Sequence, residues 1–229
     1  MQYKNLEESA HLLPQPLEGI VELINETVKL LFQQHNYGKT DTEHFMIHSR
    51  SSVEKYIFSR LYNRIIAMYK IKNKELDNEY KEKKEVVKTW SIDKLFKELK
   101  IPEDYLNGVK EVNTPYRSAI QLLNYLEDDD APREKVRNVM KAHQELKVCV
   151  MEYTKGKIEI SSTENLSKLL AYVIACSHLT SPAAELNFLK DYLLYQEGNF
   201  AAEEYLLTNL QVFLLVNKIG KSNLLCSNN

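Results

Sequence analysis

Glycine and proline are scarce, six of each in 229 residues, or roughly 5% where an average chain has about 12%. These two residues punctuate most irregular backbone, so turns are few and helices long. A chain of this length can bury a sizeable core, as one large domain or as a small bundle joined to a second helical layer. Thirty Lys and Arg against 32 Asp and Glu give a formal charge of −2 and a pI near 6.3. No overall basic field follows, which argues against nucleic acid as a partner. The amino terminus has no cationic region followed by an apolar run, and no stretch approaches about 18 uninterrupted apolar residues. A soluble, intracellular, cytoplasmic chain is expected. Cys149, Cys176 and Cys226 are odd in number, widely spaced and without a Cys-x-x-Cys pair, so the expectation is reduced, mostly buried thiols.

Residues 1–16 are polar, with Pro14 and Pro16 near their end, and read as a mobile lead-in. From Leu17 to about His35, apolar residues at Ile20, Leu23, Ile24, Val28, Leu31 and Phe32 keep a helical spacing. Gly38, suited to the left-handed position after a helix, closes that segment. Asp41 to Met46 is expected to form a short helix. A long one starts near Ser51 and carries Val53, Tyr56, Ile57, Leu61, Ile65, Ile66 and Tyr69. Lys70 to Lys88 mixes Lys and Glu densely and reads as an exposed helix or a mobile connection. Ser91 can cap a helix running to Lys100. Tyr116 to Leu126 turns Ile120, Leu122, Leu123 and Leu126 inward. Pro132 suits the first turn of the next helix, which Lys155-Gly156-Lys157 ends after about Tyr153. The last helices span about Thr163–Ser177, Pro182–Tyr195 and Phe200–Lys218. No segment alternates convincingly with period two, although Lys157 to Ser161 could be a short extended piece, and no solenoid period recurs. The fold class is all-α: a layered helical domain preceded by a small bundle, with 17–90 as bundle, 91–219 as core and 220–229 as tail.

Two of these helices carry polar residues opposite their apolar stripe, which a helix serving only a core does not need. At about 100° per residue, Leu166, Leu169, Leu170, Val173 and Ile174 share one side of the Thr163 helix. Glu164, Lys168, Ala171 and Ala175 fall on the other, where the alanines would admit a partner backbone. Glu164, in the first turn, is favoured by the helix dipole. The plainer alternative is a surface helix with an ordinary four-apart Glu164/Lys168 pair. The Phe200 helix is apolar nearly all round, with Leu206, Leu210, Phe213, Leu214 and Asn217 on one side and Tyr205, Thr208, Val212 and Leu215 on another. It is either sandwiched between layers or contacts a partner, and Tyr205 with Thr208 would supply an aromatic anchor and a hydroxyl.

Other chemistry is thinly supported. His44 and His48 have the spacing of a helical metal pair but no Glu follows His44 and no third ligand is indicated. Glu127-Asp-Asp-Asp130 reads as a solvated helix end. No Gly-x-x-x-x-Gly-Lys-[Ser/Thr] is present, so no P-loop holds a nucleotide. No metal and no cofactor is expected.

The succession Val53-Glu-Lys-Tyr-Ile-Phe-Ser-Arg-Leu-Tyr62, Ile101-Pro-Glu-Asp-Tyr-Leu106, Pro115-Tyr-Arg-Ser-Ala-Ile120, Ala131-Pro-Arg-Glu-Lys-Val136, the Glu164 helix and the Tyr205 to Thr208 segment resembles the vacuolar-protein-sorting-nine (VPS-nine) domain. The resemblance covers roughly residues 17–219. It implies an all-helical guanine-nucleotide exchange factor for an early-endosomal Rab GTPase of the Rab-five group, peripheral to early endosomes and recruited to membranes indirectly. In that family an acidic finger at the start of the recognition helix pairs with the GTPase lysine that normally holds nucleotide phosphate, while an aromatic residue and a Thr contact the switch regions. By matching positions, Glu164 stands for the finger Asp, Asn165 for a second acid and Lys168 for a Pro. Tyr205 and Thr208 are retained, Glu185 occupies a position that is usually Asn, and Leu206 one where a second Tyr is common. The implied partner is a small Rab GTPase, GDP-bound or nucleotide-free. Its contacts would be Glu164 as the catalytic finger and Lys168, Ala171, Glu185, Tyr205 and Thr208 as binding residues. Because the finger motif departs from the family pattern, a non-catalytic adaptor that holds a GTPase or another endosomal partner is the alternative, and a purely structural helical domain the third.

Overall fold

The computed structural model describes residues 10, 12–13, 15–34, 42–105, 114–158, 160 and 163–216, the side chains of 42–47, 163, 212, 213, 215 and 216 excepted. Helices follow in the order α1 Gln15–Gln34, α2 Thr42–Lys72, α3 Lys74–Val87, α4 Ile92–Glu98, a three-residue 3-10 turn at Glu103–Tyr105, α5 Arg117–Asp128, α6 Pro132–Tyr153, α7 Thr163–Cys176, α8 Pro182–Leu194 and α9 Ala201–Val216. There is no strand among the described residues. None of the described helices is long and apolar enough to cross a membrane.

Local chemistry sets many of the ends. The Ser91 hydroxyl accepts a hydrogen bond from the Lys94 amide at 3.3 Å and starts α4. Pro132 occupies the first turn of α6, where its missing N–H costs nothing. Gly156, at φ 72°, returns its amide to the Met151 carbonyl at 2.7 Å and stops α6. Gly38, residues 1–9 of the expected lead-in 1–16, the tail, and Glu159 and Ser161 of the expected extended piece all lie outside the described residues; the later part of that lead-in is not a loose arm, since Ala10 and Leu13 are buried and Gln15 and Pro16 already belong to α1.

The axis of the fold is α8, which packs against α1, α2, α3, α6 and α9. Its Ala184, Leu186, Phe188, Leu189, Tyr192 and Leu193 are buried, so it has no solvated face wide enough to read as amphipathic. The Phe188 ring meets Phe58 at 6.0 Å, Tyr62 at 5.9 Å and Tyr69 at 5.6 Å, all edge-on and all from α2. Helices α5 and α6 form the most extensively packed pair, and α7 is held between that pair and α9. One buried apolar cluster runs from Leu13 to Leu210.

Two further expectations change. Asp41–Met46 and the Ser51 segment are one helix, α2, because nothing between them is a Gly or Pro that would interrupt an intrahelical ladder. The Lys- and Glu-rich stretch is neither a connection nor a wholly exposed helix: α3 buries Asp77, Tyr80 and Val87. Asn73 makes the short joint between α2 and α3.

Candidate functional site

Glu164 opens α7 with its side chain 76% exposed, and Oε1 lies 2.6 Å from Nζ of Lys168 one turn later, itself 21% exposed. The Lys168 hydrogen bond and charge hold the Glu164 carboxyl below the usual range, and Lys100 adds a weaker pull in the same direction. Lys100 sits at φ 53° in the turn after α4. The four-apart pair expected from the spacing is therefore formed. Beside it, Asn165 donates to the Tyr105 hydroxyl at 3.4 Å, tying the start of α7 to the 3-10 turn.

Behind that first turn α7 is enclosed. Leu169, Leu170, Ala171, Tyr172, Val173 and Ile174 are buried consecutively, because α5 and α6 cover one side and α9 the other. Tyr172 packs edge-on to Phe96 at 4.9 Å and Tyr116 at 5.8 Å. This overturns one expected contact: Ala171 is 1% exposed, so it belongs to the helix–helix seam, where its small side chain lets a neighbouring helix close up, and is not on the partner face.

Helix α9 lies against α7. It turns Leu206, Leu207 and Leu210 into the core and leaves Tyr205 52% exposed with Thr208 exposed beside it. The two surface elements expected to act together, the Glu164 turn and the Tyr205/Thr208 face, are thus on adjacent helices.

Glu185 is the second correction. It is 1% exposed and buried on α8, with Oε2 2.9 Å from Nζ of Lys135, which is 0% exposed. Lys135 also donates to the Tyr62 hydroxyl at 2.7 Å and to the Leu126 carbonyl, while the Tyr62 hydroxyl donates to Glu185. Burial pushes the Glu185 carboxyl up and the Lys135 ammonium down, and the attraction between them opposes both shifts. With every partner inside the protein, Glu185 joins α2, α5, α6 and α8 and offers no contact to a partner.

A parallel cluster buries Glu54 of α2, which accepts from the Arg133 amide at 3.0 Å and the Tyr192 hydroxyl at 2.7 Å. A third holds the α7–α8 turn. Asp77 accepts from the Ala183 amide at 2.8 Å, and Glu127 from the Thr180 and Ser181 amides at 2.7 and 2.6 Å. Asn124 accepts from the His178 amide at 2.7 Å, and Lys84 donates to the Leu179 carbonyl at 2.7 Å. Of the expected solvated helix end, Glu127 is thus tied to the turn that precedes α8, while Asp128 and Asp130 are exposed.

Lys135, Glu54 and Asp77 were not singled out from sequence. Their signal is a charged residue standing at an apolar position of its helix: Lys135 shares a face with Val139, Ala142 and Leu146, Glu54 with Phe58 and Ile65, and Asp77 with Tyr80 and Val87. Among the described residues no group of three or more His, Cys, Asp or Glu is placed to hold a metal. The side chain of His44 lies outside the described residues. Cys149 is buried and Cys176 half-buried, both as free thiols.

Residues 116–218, from the first residue before α5 to beyond α9, match the family model of the vacuolar sorting protein 9 (VPS9) domain. No curated protein is significantly similar to the chain.

Proposed function

From the match of residues 116–218 to the VPS9 domain, a family of guanine-nucleotide exchange factors for Rab-type GTPases, we propose that this chain promotes GDP release from an early-endosomal small GTPase of the Rab-five group through Glu164. The observation that carries the proposal is the exposed carboxylate of Glu164 in the first turn of α7, on a helix that adjoins the one presenting Tyr205 and Thr208. Glu164 competes with nucleotide phosphate for the GTPase lysine that binds it, while Tyr205 and Thr208 hold the switch segments away from the nucleotide. Tight binding of the nucleotide-free GTPase weakens nucleotide binding by the same factor, as linkage requires. A thousandfold acceleration needs about 4 kcal/mol, within reach of one charged contact and one buried aromatic anchor. No covalent step and no cofactor of the chain's own enters. The protein acts in the cytoplasm at the surface of early endosomes, brought there by a partner.

The test is release of a fluorescent GDP analogue from a panel of early-endosomal Rabs. Acceleration by the wild-type chain that disappears in Glu164→Ala supports the finger. No acceleration of any panel member removes the proposal for those GTPases.

A second reading is favoured by one observation, the ion pair that already occupies Glu164: an adaptor that binds the GTPase without releasing nucleotide. The double change Glu164→Asp with Lys168→Pro separates the readings. A large gain from near-zero exchange identifies a decayed finger, whereas an active wild type rules the adaptor out.

A further inference from the structure

We propose that a ladder of three side-chain amides, Asn73, Asn187 and Gln211, fixes the rotation of α9 and so aims Tyr205 and Thr208. The inference rests on the role given above to those two residues. It makes all three amides positioning residues, none of which touches the partner.

Gln211 of α9 donates from Nε2 to Oδ1 of Asn187 on α8 at 2.5 Å. Asn187 donates in turn from Nδ2 to Oδ1 of Asn73 at the α2–α3 joint. Asn73 donates from Nδ2 to the Tyr69 carbonyl at 2.8 Å. The ladder ends on a rigid anchor, for Tyr69 is 0% exposed and its own hydroxyl donates to Asp191 at 2.8 Å. A run of directional bonds thus crosses from the end of α2, through the most buried helix, to α9.

The need for such a device follows from the composition of α9. From Tyr205 to Val216 it is apolar on nearly every side, so its hydrophobic pattern does not specify which side faces the core. Leu206, Leu207 and Leu210 hold it down, but apolar burial is non-directional and tolerates rotation. A hydrogen-bonded amide does not, since turning α9 by one position, about 100°, takes Gln211 away and leaves the Asn187 carbonyl without its donor. Single polar side chains set register in the same way along otherwise apolar helix seams. At about 100° per residue Thr208 lies about 60° from Gln211, and Tyr205 a further 60° round. Fixing Gln211 therefore fixes both. Asn73 lies outside residues 116–218, so the helices before the matched domain set the aim of its partner-binding helix.

The experiment uses the full chain with 3-fluorotyrosine at position 205 and records its fluorine resonance, thermal unfolding, and GDP release against chain concentration with a responsive Rab. Gln211→Leu keeps bulk and removes the donor, and Asn187→Ala breaks the ladder at its middle. Leu207→Val loosens α9 without touching an amide and is the control for general destabilisation. Each ladder variant is expected to add a second or broadened fluorine signal. Each should also raise KM about tenfold with kcat little changed, because a competent orientation populated one time in ten weakens apparent affinity by that factor. The control keeps one resonance. A single unshifted signal in both ladder variants overturns the proposal, as does the same second signal in Leu207→Val. If the wild-type chain accelerates no GTPase, the functional reading fails, and the fluorine signal by itself still decides the ladder.

Discussion

Glu164 carries its charge at the surface while already engaged through Oε1 by Lys168 at 2.6 Å, so in the proposed finger role a GTPase lysine shares that carboxylate with Lys168 or displaces it. Exposed pairs of this kind are weak and screened by salt, and removing the competitor should therefore help modestly. Lys168→Ala is expected to raise the exchange efficiency about two- to fivefold at low salt, with the difference shrinking as salt is added; an unchanged or lowered efficiency would count against competition between the two lysines. This pair was legible in the sequence because four-residue spacing on a helix decides it locally. The fate of Ala171 and Glu185 was not, since it depends on which helices cover them. Glu185 yields a second prediction. Lys135→Met leaves a buried carboxylate with Tyr62 alone and should cost about 3–5 kcal/mol. Adding Glu185→Leu should recover more than half of that loss, because burial disfavours the charged form of both groups and an apolar pair has no charge to desolvate. Denaturant unfolding of the single and double variants measures both effects.

At the scale of elements, the ends written in local chemistry were readable and the faces were not. The Ser91 cap, Pro132 in a first turn and Gly156 after a last one each act through neighbours a few residues away. Helix α3 is the contrary case. Its Lys and Glu content is that of a solvated helix, yet Asp77, Tyr80 and Val87 recur at helical spacing and are buried, a signal diluted by the charges between them. Tyr80 donates to the Ile174 carbonyl at 3.0 Å and Asp77 receives the first amides of α8. The start of the central helix is thus capped by a side chain from another element. Asp77→Ala removes that acceptor and should cost about 1–2 kcal/mol, lowering the melting temperature by roughly 2–8 °C for a chain of this size. Asp77→Asn, which keeps one acceptor oxygen, should lose less. Equal losses for the two variants would mean that the carboxylate contributes through charge and not through the cap.

At the scale of the molecule, the VPS9 match begins at residue 116, but the apolar core does not. Phe188 is 0% exposed because Phe58, Tyr62 and Tyr69 surround it, and these belong to α2. The buried carboxylate Glu185 takes a hydroxyl from Tyr62, Tyr192 donates to Glu54, and the α8 amides are capped by Asp77. A fragment starting at residue 116 would lose the aromatic cover of α8 and several partners of its buried polar groups at once. Such losses do not relax independently, since a half-satisfied buried network is worse than none. The fragment 116–229 is therefore expected to bind a hydrophobic dye strongly, to lack a cooperative thermal transition and to aggregate, while the whole chain unfolds in one transition. Cooperative unfolding of the fragment near the temperature of the whole chain would show that α8 keeps its packing without α1–α3. The scarcity of Gly and Pro bears on the same point: long helices with few breaks pass from one layer to the next, so the edge of the family match need not be a boundary in folding.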